Sequence, residues 1–329
     1  MTHSSLHFPP LGEFDFVKRV LSDAISIDES APRSRFWFGA GDDCAAFDGW
    51  LVTKDMSAEH SHFRLDWSTP EQAVEKCIVS NVSDISSMGG EPKIALLGIC
   101  VNQSWDKLTR ERVAKAFAEG FRKRGISLIG GDVVSAREGL FSITLLGRAV
   151  GEPLKRSGAK VGDTVYVSSP LGASAAGLWA FLHGKQDDPE LVDVVSEHLC
   201  PKIDEQCGVR LVKAGVLGGC IDLSDGLSSE LNHLALSSGV KIRIDEEKVP
   251  IHPGVLRLCK KYGENPRNFW LKGGEDYRLL FTTDLAKSIF NEKNIQVYPV
   301  GEVLEGSGVI LRNLEGKLET LEADSWSHL

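Results

Sequence analysis

The apolar residues of "TPEQAVEKCIVSNVSDISSMGG" (69–90) recur at helical spacing: Val74, Cys77, Ile78, Val82, Ile85 and Met88. Pro70 suits a first turn and Gly89 with Gly90 suits an end, so the pattern predicts a helix across the segment. The face between the apolar positions carries Ser80, Asn81, Asp84 and Ser87, with no Lys, Arg or Glu after Lys76. A solvated helix face mixes long charged side chains. Short polar groups around one Asp predict a partly buried face turned toward a metal or ligand.

Other helices are predicted at 13–30, with Phe14, Val17, Leu21 and Ile25 in phase, at 106–125, and near 172–184, 188–199 and 226–237. Strands are predicted at "WLVTKD" (50–55), "PKIALLGICV" (92–101), "SLIGGD" (127–132), "FSITLLGRAVG" (141–151), "TVYVSS" (164–169), 219–223, "VKIRID" (240–245) and "YRLLFTT" (277–283). Strands and helices alternate in both halves, which predicts layered α/β architecture. The polar, Gly-rich "GEPLKRSGAKVGD" (151–163) marks a boundary near Gly151, giving units 1–150 and 151–329. A chain of 329 residues is long enough for two cores.

Composition narrows the function. The 46 acidic residues exceed the 37 basic ones, for a net charge of −9, which argues against nucleic-acid binding through a broad basic face. A phosphate ligand stays open, because metal ions can carry positive charge. The longest clear apolar run, "IALLGICV" (94–101), falls far short of the ~20 residues of a membrane span. The start "MTHSSLHFPP" lacks the basic end and apolar core of a secretory signal. Seven Cys without a C-x-x-C pair fit a reduced, cytoplasmic setting.

Acids recur after hydrophobic runs. "FWFGAGDDC" places Asp42 and Asp43 in a Gly-rich turn, "WLVTKD" ends in Asp55, "SLIGGD" in Asp132, and "GGCIDLSDG" in Asp222 and Asp225. Each alone reads as a turn or helix cap. Together they suggest convergence, since open α/β sheets bind ligands beyond the carboxyl ends of their strands. Bare carboxylates resist burial together, so a cation is expected among them. Hard oxygen donors completed by water and phosphate describe magnesium, and magnesium with phosphate suggests an ATP-using enzyme. No G-x-x-x-x-G-K-[ST] loop and no protein-kinase signature set is present. The phosphates are then left to the backbone of Gly130 and Gly131, the metals and Arg156, which reads equally as a solvated loop residue. "LKGGEDYRLLFTT" (271–283) reads as a tight turn before Glu275 and Asp276, with Tyr277 opening a strand.

In order, "GAGDDCAAF", "LVTKDMSAEHSHF", "SNVSDISSMGG", "LIGGD", "RSGAKVGD", "LGASAAGL", "IDLSDGL" and "GGEDYRLLFT" resemble the thiamine-monophosphate kinase family, in the aminoimidazole-ribonucleotide synthetase-like superfamily. The resemblance covers more than two-thirds of the chain. It implies two α/β domains per subunit, with N-terminal domains pairing into a homodimer. It implies transfer of the ATP γ-phosphoryl group directly onto thiamine monophosphate, with several Mg2+ ions and no phosphoenzyme. Metal ligands would fall on Asp43, Thr53, Asp55, Asp84, Asp132, Asp222 and Asp225. ATP contacts would fall on Gly131, Asp132, Arg156 and Ser224. Substrate contacts would fall on His62, Glu275 and Trp326, where an indole over a cationic thiazolium makes a cation–π pair. His62 also reads as an ordinary surface His, and Trp326 as a residue that pins the tail. Two positions depart from the family pattern: Lys54 replaces a usual Thr before Asp55, and His60 a usual Gly. Rival expectations are another ATP-using member of the superfamily, or a nucleotide- or metal-binding protein without turnover.

Overall fold

The computed structural model describes residues 41–323, so the predicted helix at 13–30 and Trp326 lie outside the described residues. Two sheets organise the rest. The first holds β1 (Ala45–Phe47), β2 (Trp50–Ala58), β3 (Gly90–Asn102), β4 (Ser127–Ala136) and β5 (Leu140–Ala149), in the order β1-β2-β5-β3-β4. Only β3 and β4 run parallel; the other pairs are antiparallel. Helices α1 (Pro70–Ser87) and α2 (Lys107–Lys123) belong to this half.

The second sheet has the order β12-β11-β8-β10-β6-β9-β7. Its strands are β6 (Thr164–Val167), β7 (Cys220–Asp222), β8 (Lys241–Asp245), β9 (Leu279–Thr283), β10 (Tyr298–Leu304), β11 (Gly308–Arg312) and β12 (Leu318–Leu321). Around it lie α3 (Ala173–Leu182), α4 (Val192–Leu199), α5 (Cys207–Ala214), α6 (Leu227–Ser238), α7 (Pro253–Tyr262), α8 (Arg267–Trp270) and α9 (Lys287–Glu292). Here too only one pair, β8 with β11, is parallel.

Helix α1 forms where the hydrophobic spacing predicts it. Thr69 and Gln72 close a capping box, and Pro70 occupies the first turn. Its apolar stripe enters a core with Leu51, Phe117, Phe141, Ile143 and Leu145. Its other side packs on β7, α4 and α5 of the second half. That double burial explains the short polar face: Ser80, Asn81, Ser83, Ser86 and Ser87 are all buried.

Several expectations change. β2 runs on past Asp55 to Ala58, and β4 past Asp132 to Ala136, so these acids lie inside strands and not at their ends. The sheets are mainly antiparallel, so the rule for carboxyl ends of parallel strands does not locate the site. Tyr277 does not open a strand: it sits at φ 50°, and β9 begins at Leu279. Asp222, by contrast, does end β7.

β4 stands apart. It is the sheet edge, and all ten of its residues are exposed. Among them Ile129 and Val133 are 65% and 66% exposed. Asp132 is level with Gly98 of β3, and through it with Ser142 and Met56. This register puts Asp132 on the sheet face opposite Thr53 and Asp55, which look toward α1.

Candidate active site

Four acids meet where α1 lies between the halves. Asp43 comes from the turn before β1, Asp55 from β2, Asp84 from α1 and Asp222 from the end of β7. Thr53, two residues before Asp55 on the same face, donates its hydroxyl to Asp84 Oδ2. Ser83 Oγ donates to Asp222 Oδ2 at 2.5 Å, which ties α1 to the second sheet. The backbone N–H of Asp55 donates to Asn81 Oδ1 at 3.2 Å.

The electrostatics follow from this convergence. Burial first, then the carboxylates of Asp55, Asp222 and Asp43, push the Asp84 carboxyl well above the usual range. Burial and then Asp43 do the same to Asp222. Burial and Asp43 raise Asp42 to about 6. The cation beside them is Arg156, whose Nε and Nη2 donate to Asp43 Oδ1 at 2.9 and 2.6 Å. Its backbone N–H donates to the Asp42 carboxylate. Arg156 is therefore drawn into the acid group and is not a solvated loop residue. Asp43 Oδ2 is buried and finds no hydrogen-bond partner among the described residues.

These features fit a divalent cation. Mutually raised carboxyls and an orphaned carboxylate oxygen are what a hard cation would relieve. Among the described residues no three His, Cys, Asp or Glu side chains enclose a metal by themselves. Magnesium takes one or two carboxylates and completes its octahedron with water and phosphate.

Asp225 lies three residues beyond Asp222, in a loop stitched to the 272–277 segment. Glu275 N donates to Ser224 O at 2.6 Å, and Tyr277 N to Leu223 O at 2.8 Å. Ser224 and Glu275 are thus neighbours. Glu230, buried, accepts from Asp225 N at 2.7 Å, and burial with Asp225 pushes its carboxyl well up. Asp276 is a cap and not a site residue: it accepts from Gly172 N and Ser174 N at the start of α3.

His62 lies near Glu275. Its Nδ1 accepts from Ala58 N at 3.1 Å, so the ring presents Nε2 as the donor. Lys76 Nζ donates to His62 O at 3.1 Å and to Glu275 Oε2 at 2.7 Å. His198 Nδ1 stands 3.6 Å from the same oxygen. Trp67 stacks on Phe181 at 4.7 Å, beside His198. Sequence reasoning passed over Lys76, His198, Trp67, Phe181 and Glu230. Only Lys76 left a signal, as the last long charge on the α1 polar face.

Gly131 and Asp132 do not join the acids within one chain. They lie on β4, and a Cβ on Gly131 would stand 1.9 Å from Leu97 O, so the strand pairing itself requires Gly there. Lys54 also points away: its Nζ donates to Ser142 Oγ at 2.6 Å on the opposite, exposed face. His60 holds φ 69°, the left-handed region where Gly is at ease.

Residues 41–149 match the AIR synthase related protein N-terminal domain, and 160–312 match its C-terminal domain. Thiamine-monophosphate kinase of Methanopyrus kandleri is 35% identical over 296 residues, covering 89% of this chain and 92% of that protein. The chain belongs to the thiamine-monophosphate kinase family. The family member of Aquifex aeolicus is 34% identical over 325 residues, covering 97% of this chain and 98% of its own. The solved structure of AaThiL complexed with AMPPCP and TMP superposes with a TM-score of 0.85 at 31% identity, over 100% of both chains. In this family's frame, the acids and Arg156 lie in the segments that carry the resemblance.

The raised carboxyls set a testable pH dependence. A carboxyl raised by folding holds its proton more tightly in the folded state. That contribution is full below the ordinary carboxylate value and is lost as pH rises through the folded value. For Asp42 the window runs from 3.8 to about 6. In metal-free protein, Asp222→Asn should raise the thermal midpoint at pH 8, and the gain should shrink as pH falls. At ~2–4 °C per kcal/mol, calorimetry resolves it. A lower or unchanged midpoint at pH 8 would remove the repulsion argument.

Proposed function

We propose that the protein is a thiamine-monophosphate kinase. It moves the γ-phosphoryl group of ATP in line onto an oxygen of the thiamine monophosphate phosphate, and the bond to ADP breaks. The observation that carries this is the convergence of Asp43, Asp55, Asp84 and Asp222 around α1, beside the Arg156 guanidinium.

Asp43, Asp55, Asp84, Asp222 and Asp225, with Thr53, are the proposed magnesium ligands. Magnesium supplies charge neutralisation and orientation of the phosphates when bound. Arg156, now on Asp43, is the side chain proposed to meet an ATP phosphate, and Ser224 is proposed as a second nucleotide contact. His62 and Glu275 receive the thiamine end, Glu275 offering its carboxylate to the thiazolium cation. Trp326 completes that end in this reading. The acceptor phosphate is ionised near neutral pH, so the chain needs no strong general base; positioning carries the reaction.

The two units meet at Gly151: 1–150 for metals, nucleotide and dimer contact, 151–329 completing the substrate site. The exposed apolar edge of β4 supports a homodimer. Gly131 and Asp132 lie on that edge, so a second copy is the route by which they reach nucleotide and metal. Light scattering at the mass of one chain would sink this. No described helix is long and apolar enough to cross a membrane. All seven Cys are free, in keeping with a cytoplasmic protein.

The deciding assay is magnesium-dependent ADP release with thiamine monophosphate, run against a panel of other phosphorylated acceptors. Preference for another acceptor, or no release, overturns the reading. Asp222→Asn should lower turnover at least ~100-fold with the fold intact; near-normal turnover at saturating magnesium returns Asp222 to a turn residue. Because the Lys54 side chain leaves the acids, magnesium titrations of wild type and Lys54→Thr should superimpose. A variant that needs markedly less magnesium contradicts that geometry.

A further inference from the structure

We propose that Lys76 is a positioning residue for the acceptor end of the site. It clamps the Glu275 carboxylate of the second half and the His62 turn of the first in one arrangement. The inference rests on the kinase reading above, and it assigns a role to a residue which that reading leaves unused.

Lys76 is only 6% exposed. A buried ammonium is costly unless fully partnered, and an apolar residue would serve packing at least as well. Its two acceptors are Glu275 Oε2 and the carbonyl of His62, the two acceptor-end residues within the described chain. The contact spans 199 positions of sequence and joins the halves. Asp84 lies eight residues along the same helix, ~12 Å at 1.5 Å per residue. Lys76 therefore marks the end of α1 away from that acid, where the non-phosphate part of an acceptor would lie.

The Glu275 backbone is held in an unfavourable state. Glu275 has φ 61° and Tyr277 φ 50°, both left-handed. Such strain persists where the surroundings over-determine it, and here they do. Asp276 between them is fastened to the start of α3, and the N–H groups on either side bond to Ser224 and Leu223 carbonyls. With the backbone fixed, the freedom left is that of the Glu275 side chain, and the Lys76 ammonium takes it up.

Charge points the same way. Three groups face Glu275: Lys76 from α1, His198 from α4 and His62 from the turn after β2. Burial pushes its carboxyl up, and Lys76, His198 and His62 together pull it below its ordinary value. His198 is itself lowered to about 4 by burial and Lys76, so near neutral pH it brings no full charge. Lys76 is then what keeps Glu275 ionised for a cationic aromatic ring.

The test measures dissociation constants for thiamine monophosphate and for a non-hydrolysable ATP analogue with magnesium, by calorimetry from pH 6 to 8. The proteins are the wild-type chain, Lys76→Met, Glu275→Gln and the double variant. Lys76→Met should weaken thiamine monophosphate at least ~10-fold and the nucleotide less than ~3-fold, since truncating one member of a buried charge pair is felt by what that pair binds. The double variant should lose no more than the larger single loss, because the two act as one unit. In Lys76→Met alone, acceptor affinity should fall more steeply than in wild type as pH drops, because Glu275 loses the ammonium that holds its carboxyl down. Equal losses for both ligands, additive single losses or a flat pH profile overturn the proposal. Lys76→Arg keeps the charge and guards against misfolding: it should show a smaller acceptor-selective loss, and an equal loss for both ligands again overturns the clamp. Wild-type ADP release speaks to the kinase reading alone, and the ratio of the two constants to the clamp.

Discussion

Helix α1 is buried on both sides, and this constraint brings together carboxylates that repel one another. One side carries the apolar stripe into the first core; the other lies against β7, α4 and α5. Only short polar side chains fit the second side, so Ser83 can reach Asp222 while Asp84 meets Thr53. Packing thus supplies the energy that holds Asp43, Asp84 and Asp222 together, with the Asp84 and Asp222 carboxyls raised. Arg156 neutralises one of them and leaves an oxygen of Asp43 orphaned. A site shaped by packing in this way suits positional catalysis of phosphoryl transfer.

The same helix organises the other end. Eight residues before Asp84, Lys76 holds Glu275 and the His62 turn. One rigid element therefore sets the spacing between the acids proposed for phosphate chemistry and the groups proposed for the acceptor. The two departures from the family pattern fall outside that axis. Lys54 takes the opposite sheet face, and His60 accepts a left-handed backbone on an exposed turn. A non-glycine residue there costs ~1 kcal/mol, small beside the stability of a two-core chain.

Much of the site could be read in advance because its residues sit in short, ordered motifs. "SNVSD" and "IDLSD" each put an acid beside small polar neighbours that cannot cover a solvated face. The mechanism of convergence could not be read there. Asp55 and Asp132 look alike in sequence, each after an apolar run. Strand register alone sends one toward α1 and the other to the exposed face, because side chains alternate and a single step in pairing exchanges the faces.

Local pattern alone determined α1, α2 and most strands, since period and capping act within a few residues. It also determined that the acids of "GAGDDCAAF", "SNVSDISSMGG", "LIGGD" and "IDLSDGL" stand with no base in the same motif, a fact of composition. Tertiary structure decided which acids meet, that Asp276 caps α3 in place of serving the site, and that Lys76 faces Glu275. Those outcomes join residues 31 to 199 positions apart, across separate elements. They depend on sheet order and on how α1 packs between the halves, which no local spacing encodes.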